Sequence, residues 1–509
     1  MADFDDIVMG TGMGGLAVGA LLASRGRRVL MLEAHDVPGG YAHTFRMRDY
    51  RFCAQVHYVF GCGEGESIHR LLDHLGLVDE VPFVRLDVEG FDHVVVAGDR
   101  VRIPSGLAKY RERLVRKFPR DERPLREYFR IVALLGDQLD RLDGLPDTLS
   151  TRALPKLLAT GYELRHVAYY LRWTLGDLFE HLGMPLRLRA ILAGQCGDYL
   201  LPPRDVSLLL HVALVVNYDR GAYYPKHHYF HFVERLARYV ADKPGCRILY
   251  EHEVSRIEVA GGRVVAVHTQ GGRRFTAERY VSNIDPRATA RLAGEHHFPR
   301  DARRLDYDYS SGTFTMYLAL RGVDLRDHGF GSFNVWHYPH EDLDRIYDDQ
   351  LRRNDLSRPW LFLSTPSLHS DEPGLCPPGE QILEVATSCD YRSFADLRAR
   401  DRRAYNSAKK QIVEHILDVL EHGYVPSIRD HVAFRVAGTP VTNERYCRAP
   451  EGNAYGSALT PANVGFLRRP YRTSLPNLWA VNATAGLPSV AGTVSAGMKL
   501  FSELSGERV

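Results

Sequence analysis

The stretch Phe4–Ala34, "FDDIVMGTGMGGLAVGALLASRGRRVLMLEA", decides the fold. A short apolar run, Ile7 to Met9, leads into Gly10, Gly12 and Gly15; an Ala/Leu helix follows, then a second apolar run ending at Glu33. This is a complete strand, turn, helix and strand, and each glycine has a physical reason to be there. Gly10 allows the tight turn, Gly12 lets backbone approach a pyrophosphate, and Gly15 lets helix and strand pack closely. Met13 and Gly14 open the helix, whose positive end faces the phosphates. Glu33, with Ala34 beside it, stands where a carboxylate accepts hydrogen bonds from ribose hydroxyls and repels a 2′-phosphate. The unit predicts a Rossmann-like domain that binds an adenosine diphosphate moiety, as in FAD or NAD.

Bulk properties narrow the class. A chain of 509 residues permits two to four domain-sized units. With 45% hydrophobic and 25% charged residues it is neither disordered nor collagen-like. Basic and acidic residues nearly balance at a net charge of +2, which excludes an electrostatic machine for nucleic acid. Seven cysteines without a C-x-x-C pair predict free thiols in a reducing compartment. The chain starts without a charged n-region or cleavage site, and no run of about 18 apolar residues occurs, so a cytoplasmic protein is expected. One local exception is "KYRERLVRKFPRDERPLREYFR" (109–130), basic and interleaved with Tyr110, Leu114, Phe118, Tyr128 and Phe129. A solvated helical face is the first reading, a peripheral membrane contact the second.

After Glu33 the chain reads "AHDVPGGYAHTFRMRDYRFCAQVHYVFG". Its diglycine (Gly39, Gly40), its His43–Thr44–Phe45 and its His57–Tyr58 with Gly61 resemble flavoproteins of the phytoene desaturase type, more narrowly the retinol saturase group. The resemblance implies FAD, with Gly39, Gly40 and Thr44 at the cofactor. Cys53 departs from the acidic residue common there. From 245 to 286, alternating apolar and polar residues with diglycine turns predict a β-meander. By resemblance, Val254 presents its backbone to the adenine. "PSLHSDEPGLCPPGEQILEV" (366–385) resembles the substrate-domain segment, and "GNAYG" (452–456) with "TSLPNLWAVNATAGLPSVAGTVSAGMKLFSEL" (473–504) the closing strand, loop and helix. There Asn482, Ser489 and Val490 fall at the cofactor, and a helix start near Val490 would favour negative charge on reduced flavin. Asn482 and Ala483 depart from the Gly and acidic or polar pair usual at that point.

The expected architecture is α/β: a Rossmann-like FAD-binding domain of the glutathione-reductase/amine-oxidase type, interleaved with a mixed-sheet substrate domain and a helical insert. The expected segments are 1–103 (first cofactor part), 104–225 (helical insert), 226–290 (second cofactor part), 291–435 (substrate sheet) and 436–509 (third cofactor part). Two long amphipathic helices are expected within the insert, over "RPLREYFRIVALLGDQLDRL" and "LPKLLATGYELRHVAYYLRWTLGDLFEHLG".

What the resemblance implies chemically is an FAD-dependent oxidoreductase acting on C=C or C–C bonds of a conjugated polyene or isoprenoid-like substrate. Reduction or reductive cyclisation is favoured, with NADPH or NADH visiting as electron donor; desaturation and cis–trans isomerisation of a carotenoid are the alternatives. A flavin-binding partner without turnover and a flavin amine oxidase are kept as readings of another class; Tyr41, where amine oxidases carry an arginine after the diglycine, weighs against the latter. Reduction needs a proton, for which His57, Tyr58, Tyr199, Tyr224, His227 and His228 are the candidates. In and just after "YYPKHHYFHF" (223–232), His227, His231 and Glu234 share a helical face at metal-ligand spacing, but the resemblance calls for no metal. It instead sets His227 and His228 where relatives carry a diglycine, predicting that two imidazoles fill space beside flavin and substrate.

Overall fold

A computed structural model describes residues 2–143, 163–370, 372–464, 468 and 471–509. A six-stranded sheet runs in the order Tyr471–Arg472, Leu478–Ala480, Ala277–Ser282, Phe4–Met9, Val29–Leu32, Arg247–Leu249. All pairings are parallel except that of the edge strand Tyr471–Arg472. Val29–Leu32 is buried at every position, the continuous apolar pattern of a parallel strand covered on both faces. Helix Met13–Ser24 is buried from Met13 to Ala23, as an all-apolar helix must be. It packs on the C-terminal helix Val490–Ser505 through small residues: a Cβ on Gly497 would lie 2.8 Å from that of Ala17.

The meander exists as Val254–Ala260, Arg263–Thr269 and Arg274–Phe275. Its first turn uses Gly261 and Gly262 at φ +57° and +72°, the left-handed pair that a two-residue hairpin requires. The strands flanking it, Arg247–Leu249 and Ala277–Ser282, leave the meander for the parallel sheet.

A second sheet has seven strands in the order Val432–Gly438, Gly312–Arg321, Glu380–Cys389, Leu361–Ser364, Asn334–Tyr338, Asp92–Val96, Asp99–Ile103. The last two correct the expected segment 1–103: Asp92–Val96 pairs in parallel with Asn334–Tyr338, so the chain reaches the second sheet before residue 103. Helices Leu107–Lys117, Glu122–Asp143, Arg165–Tyr170, Leu175–His181, Leu186–Leu192 and Leu208–Arg220 follow. The second long helix expected there is broken, because Thr174 forms a capping box with Asp177 and starts a new helix at Leu175. Its first part, 154–162, lies outside the described residues.

The basic run 109–130 also reads differently in three dimensions. Tyr110, Leu114, Tyr128 and Phe129 are buried in the core, while Lys109 and Arg113 pair with Glu89, and Lys117 with Asp99. The side chains of Tyr110, Tyr128 and Phe129 thus face inward, while Phe118 is half-buried under Lys117. Among the described residues no helix is long and apolar enough to cross a membrane. The seven cysteines are free.

Candidate active site

The two sheets meet at a cavity of about 1180 Å3, lined by the C-terminal ends of the parallel strands and by the inner side of the seven-stranded sheet. Pockets for a single drug-sized ligand measure about 300–1,000 Å3. The space thus suits a dinucleotide together with a second molecule.

The glycine turn forms its floor. Gly10 adopts φ +98° and its amide donates to the Leu32 carbonyl at 2.7 Å. A Cβ on Gly15 would lie 2.6 Å from the Gly10 carbonyl oxygen, which is why helix and strand can touch there. Gly12 begins helix Met13–Ser24 with no side chain capping it and no acid in the first turn, leaving the first-turn amides for an anion. Gly39, at φ +115°, donates its amide to the Thr11 carbonyl at 3.0 Å, and a Cβ on Gly40 would stand 3.2 Å from the Gly12 Cα. The diglycine loop therefore lies directly on the first turn, and Tyr41 ties it to the 452–456 loop by donating to the Asn453 carbonyl at 2.6 Å.

Glu33 is held at the rim. Its Oε2 accepts from the Thr11 amide at 2.8 Å and Oε1 from the His35 amide at 2.9 Å. The His252 amide donates to the Glu33 carbonyl at 2.7 Å, which brings Val254 to the same wall as Ala34. Sequence reasoning missed Asn283, whose Nδ2 donates to the Val481 carbonyl at 2.5 Å and whose Oδ1 faces Gly12. It pins three neighbouring strand ends together; an Asn directly after a strand, in "SNIDP", was the available signal.

At the far end of the chain, Ser489 sits at φ +84° and its Oγ accepts from the Gly492 amide at 3.0 Å. Ser489, Val490 and Ala491 line the cavity, so the positive end of this helix faces it. Asn482 lines the cavity too, but its amide is engaged within the protein: Nδ2 donates to the Ile284 carbonyl, and Oδ1 accepts from the Thr484 and Ala485 amides. Its side chain thus shapes the loop.

Of the six proton-donor candidates, His57 and Tyr58 reach the cavity. His57 Nδ1 lies 2.8 Å from Oε2 of Glu384, a buried residue on strand Glu380–Cys389. Burial raises the Glu384 carboxyl above the usual range, and His57 acts in the opposite sense. The Tyr58 hydroxyl lies 2.8 Å from Asp198 Oδ2 and 3.0 Å from Asp92 Oδ2, and its ring stacks on Tyr218 at 4.4 Å. Asp92, on the strand beside Asn334, is fully buried and its carboxyl is pushed up to about 7; burial likewise holds Asp198 well above the usual carboxylate range. Glu384, Asp92 and Asp198 were overlooked in the sequence. Each stands alone inside an apolar run, "ILEVA", "GFDHVVV" and "CGDYLL", and that isolation was the signal.

The other candidates lie away from the cavity. The Tyr199 hydroxyl lies 3.1 Å from His211 Nδ1 and the Tyr128 hydroxyl 2.7 Å from the same ring's Nε2, a structural bridge. Tyr224 is buried against Tyr229 and His369. His227 caps helix His228–Ala241 and stands 3.2 Å from Glu372, whereas His231 donates to the Glu80 carbonyl, so the metal-spaced trio is not brought together. His228 is fully buried beside the Thr44 hydroxyl at 3.3 Å, and neither residue lines the cavity. His228 also takes φ +64°, the left-handed conformation a glycine would hold at less cost. The pair therefore fills a glycine position without closing the space beside flavin and substrate. His228→Gly and His227→Gly are expected to leave bound flavin and product identity unchanged, as absorbance and product mass will show; a changed product would return these residues to the site.

Residues 13–331 match the family described as flavin containing amine oxidoreductase. The chain belongs to that family. It is accordingly a flavin-dependent oxidoreductase, and the residues just described fit the flavin dinucleotide: open first-turn amides and two glycine loops for the pyrophosphate, and Glu33 for a ribose. Among sequence relatives of this flavin oxidoreductase is the all-trans-retinol 13,14-reductase of Danio rerio, 27% identical over 480 residues, 89% of this chain and 78% of that protein. Chloroplastic prolycopene isomerase 1 of an Oncidium hybrid cultivar is 22% identical over 480 residues, 93% and 79% of the two chains. The fold is shared with cyclohexylamine oxidase from Brevibacterium oxydans IH-35A, at a TM-score of 0.60 and 17% identity over 99% of both chains.

Proposed function

We propose that this protein reduces a carbon–carbon double bond of a conjugated, apolar polyene or isoprenoid-like substrate. The observation that carries the reading is the shape of one cavity. Beyond the glycine loops it continues to Leu214, Tyr218, Trp336, Trp360 and Phe362, large apolar side chains that would receive a long unsaturated chain and keep water out. The similarity to a retinol reductase along most of the chain supports the same direction.

Bound FAD would supply two-electron chemistry. The protein's part is to hold it on Gly10, Gly12, Gly39, Gly40 and Glu33, to favour negative charge with the helix start at Val490, and to present an acid to the substrate. NADPH or NADH is proposed as the electron source. On this reading the six-stranded sheet and meander serve the cofactor, while the seven-stranded sheet and the helices between 104 and 225 serve the substrate. The free thiols support a reducing, cytoplasmic setting.

The test is anaerobic incubation of the yellow protein with NADPH or NADH and a panel of polyenes. Bleaching by the nicotinamide, return of colour on adding polyene, and a product heavier by one H2 are expected. A product lighter by one H2 would replace reduction by desaturation, and an isomer of unchanged mass would replace it by isomerisation. Hydrogen peroxide released with amines alone would make the protein an amine oxidase.

A further inference from the structure

We infer that Asp198 is the proton donor to the substrate and that Tyr58 and Asp92 form the relay that refills it. This deepens the reading above and rests on it.

The geometry carries the assignment. One phenolic hydroxyl touches two carboxyl groups, at 2.8 Å and 3.0 Å, yet it has a single hydrogen to donate. With both acids ionised, one of these contacts would set a carboxylate against an oxygen lone pair, in a region with little water to screen two negative charges. At least one carboxyl proton therefore belongs to the trio. The two ends differ in what surrounds them. Asp92 is sealed behind the sheet and accepts from the amides of Gln195 at 2.7 Å and Asn334 at 3.4 Å. Asp198 lines the cavity, and among the described residues its second oxygen, Oδ1, has no protein partner. The acid that faces substrate is the one without supporting donors, and the acid with donors is the one a substrate cannot touch.

Such an arrangement passes charge inward. The Asp198 O–H bond breaks as its proton joins one alkene carbon; bound flavin would supply the hydride equivalent to the neighbouring carbon, so that H2 is added in total. The Tyr58 proton then moves to Asp198, and the Asp92 proton to Tyr58. The negative charge comes to rest on Asp92, where the two amides and the Tyr58 hydroxyl receive it; once product has left, a proton from water in the cavity enters at Asp198 and is passed back along the same path to Asp92. Burial favours the protonated starting state of both acids.

Three variants, D198N, Y58F and D92N, test the inference, each examined as the flavin-loaded protein. The first readout is infrared spectroscopy of the resting protein at pH 7, without substrate. A protonated-carboxyl band is expected in the wild type and should weaken in D198N. The second is polyene binding by fluorescence quenching, expected within about 3-fold of wild type in D198N. The third is turnover, expected to fall about 100- to 10,000-fold in D198N, the range of a lost general acid. In Y58F, single-turnover reduction should survive while steady-state turnover drops, because only the refilling path is cut; in D92N both should resemble Y58F. Wild-type reduction undiminished in D198N, or a D198N spectrum that keeps the whole band, would overturn the relay and leave the reductase reading standing. A wild type that binds polyene but reduces none would overturn both.

Discussion

Gly12→Val is expected to give a folded but colourless protein, with affinity for FAD lowered on the order of a thousand-fold, about 4 kcal/mol. A Cβ at position 12 would stand 2.5 Å from Asn283 Oδ1, inside any permitted contact. Asn283 has no room to retreat, since its Nδ2 is bonded to the Val481 carbonyl and its backbone amide to that of Met9. The turn itself must move, and the diglycine loop resting on it, bridged to residue 12 through Gly39, moves with it. Both glycine loops and the first-turn amides are displaced together from where a pyrophosphate would lie. Gly271→Ala is the control: nothing lies within 4 Å of its Cβ and its φ is ordinary. The measurement is the flavin-to-protein absorbance ratio after purification, followed by FAD titration, with circular dichroism to verify the fold. A yellow Gly12→Val protein would mean that the pyrophosphate lies elsewhere.

The second large effect is acid lability. His43, His93, His211, His228 and His369 are buried, and burial drives them down from 6.5 to about 4, 3, 3, 3 and 4. Above pH 6.5 they are neutral in both the folded and unfolded chain and stability is unaffected. Below it the unfolded chain takes up protons that the folded one refuses, so stability is lost as pH falls. At pH 5 each contributes a loss of about 2 kcal/mol. Asp92 and Asp198, raised in the folded state, work the other way and offset part of this loss as they protonate. The fall that remains between pH 7 and pH 5 is set against only about 5–15 kcal/mol that holds a typical protein together. Denaturant unfolding curves at pH 7, 6 and 5 should shift steadily to lower midpoint; coincident curves would refute the account.

The parts of this molecule that were legible in the sequence are those where backbone shape dictates residue type. The glycine turn, Glu33, the diglycine loop and the helix at Val490 each need a particular residue for a local reason, and local reasons survive in a one-dimensional record. The acids at the substrate end were not legible, because their meaning comes from neighbours about 34 to 327 positions away. Nothing near Asp198 announces Tyr58, and nothing near Glu384 announces His57. Conversely, the doubled histidine at 227–228 was conspicuous on paper, but helix His228–Ala241 turns it away from the cavity. Its departure from a diglycine is met by backbone strain at one residue, φ +64° at His228, and not by a change in the site.

The order of the strands also has a temporal consequence. The central strand Phe4–Met9 finds its partner Ala277–Ser282 more than 260 residues later, and that partner must wait for Leu478–Ala480. Closing loops of this length makes folding slow relative to proteins with local contacts. A ribosome must pass residue 480 before the floor of the cofactor site can be laid. Until then a buried helix, Met13–Ser24, has no finished core to enter, and newly made chains must be shielded by chaperones or early packing. Flavin, which binds only the completed arrangement, would then draw the last step forward by mass action. The yellow colour thus reports more than cofactor content: it counts the chains that have finished folding.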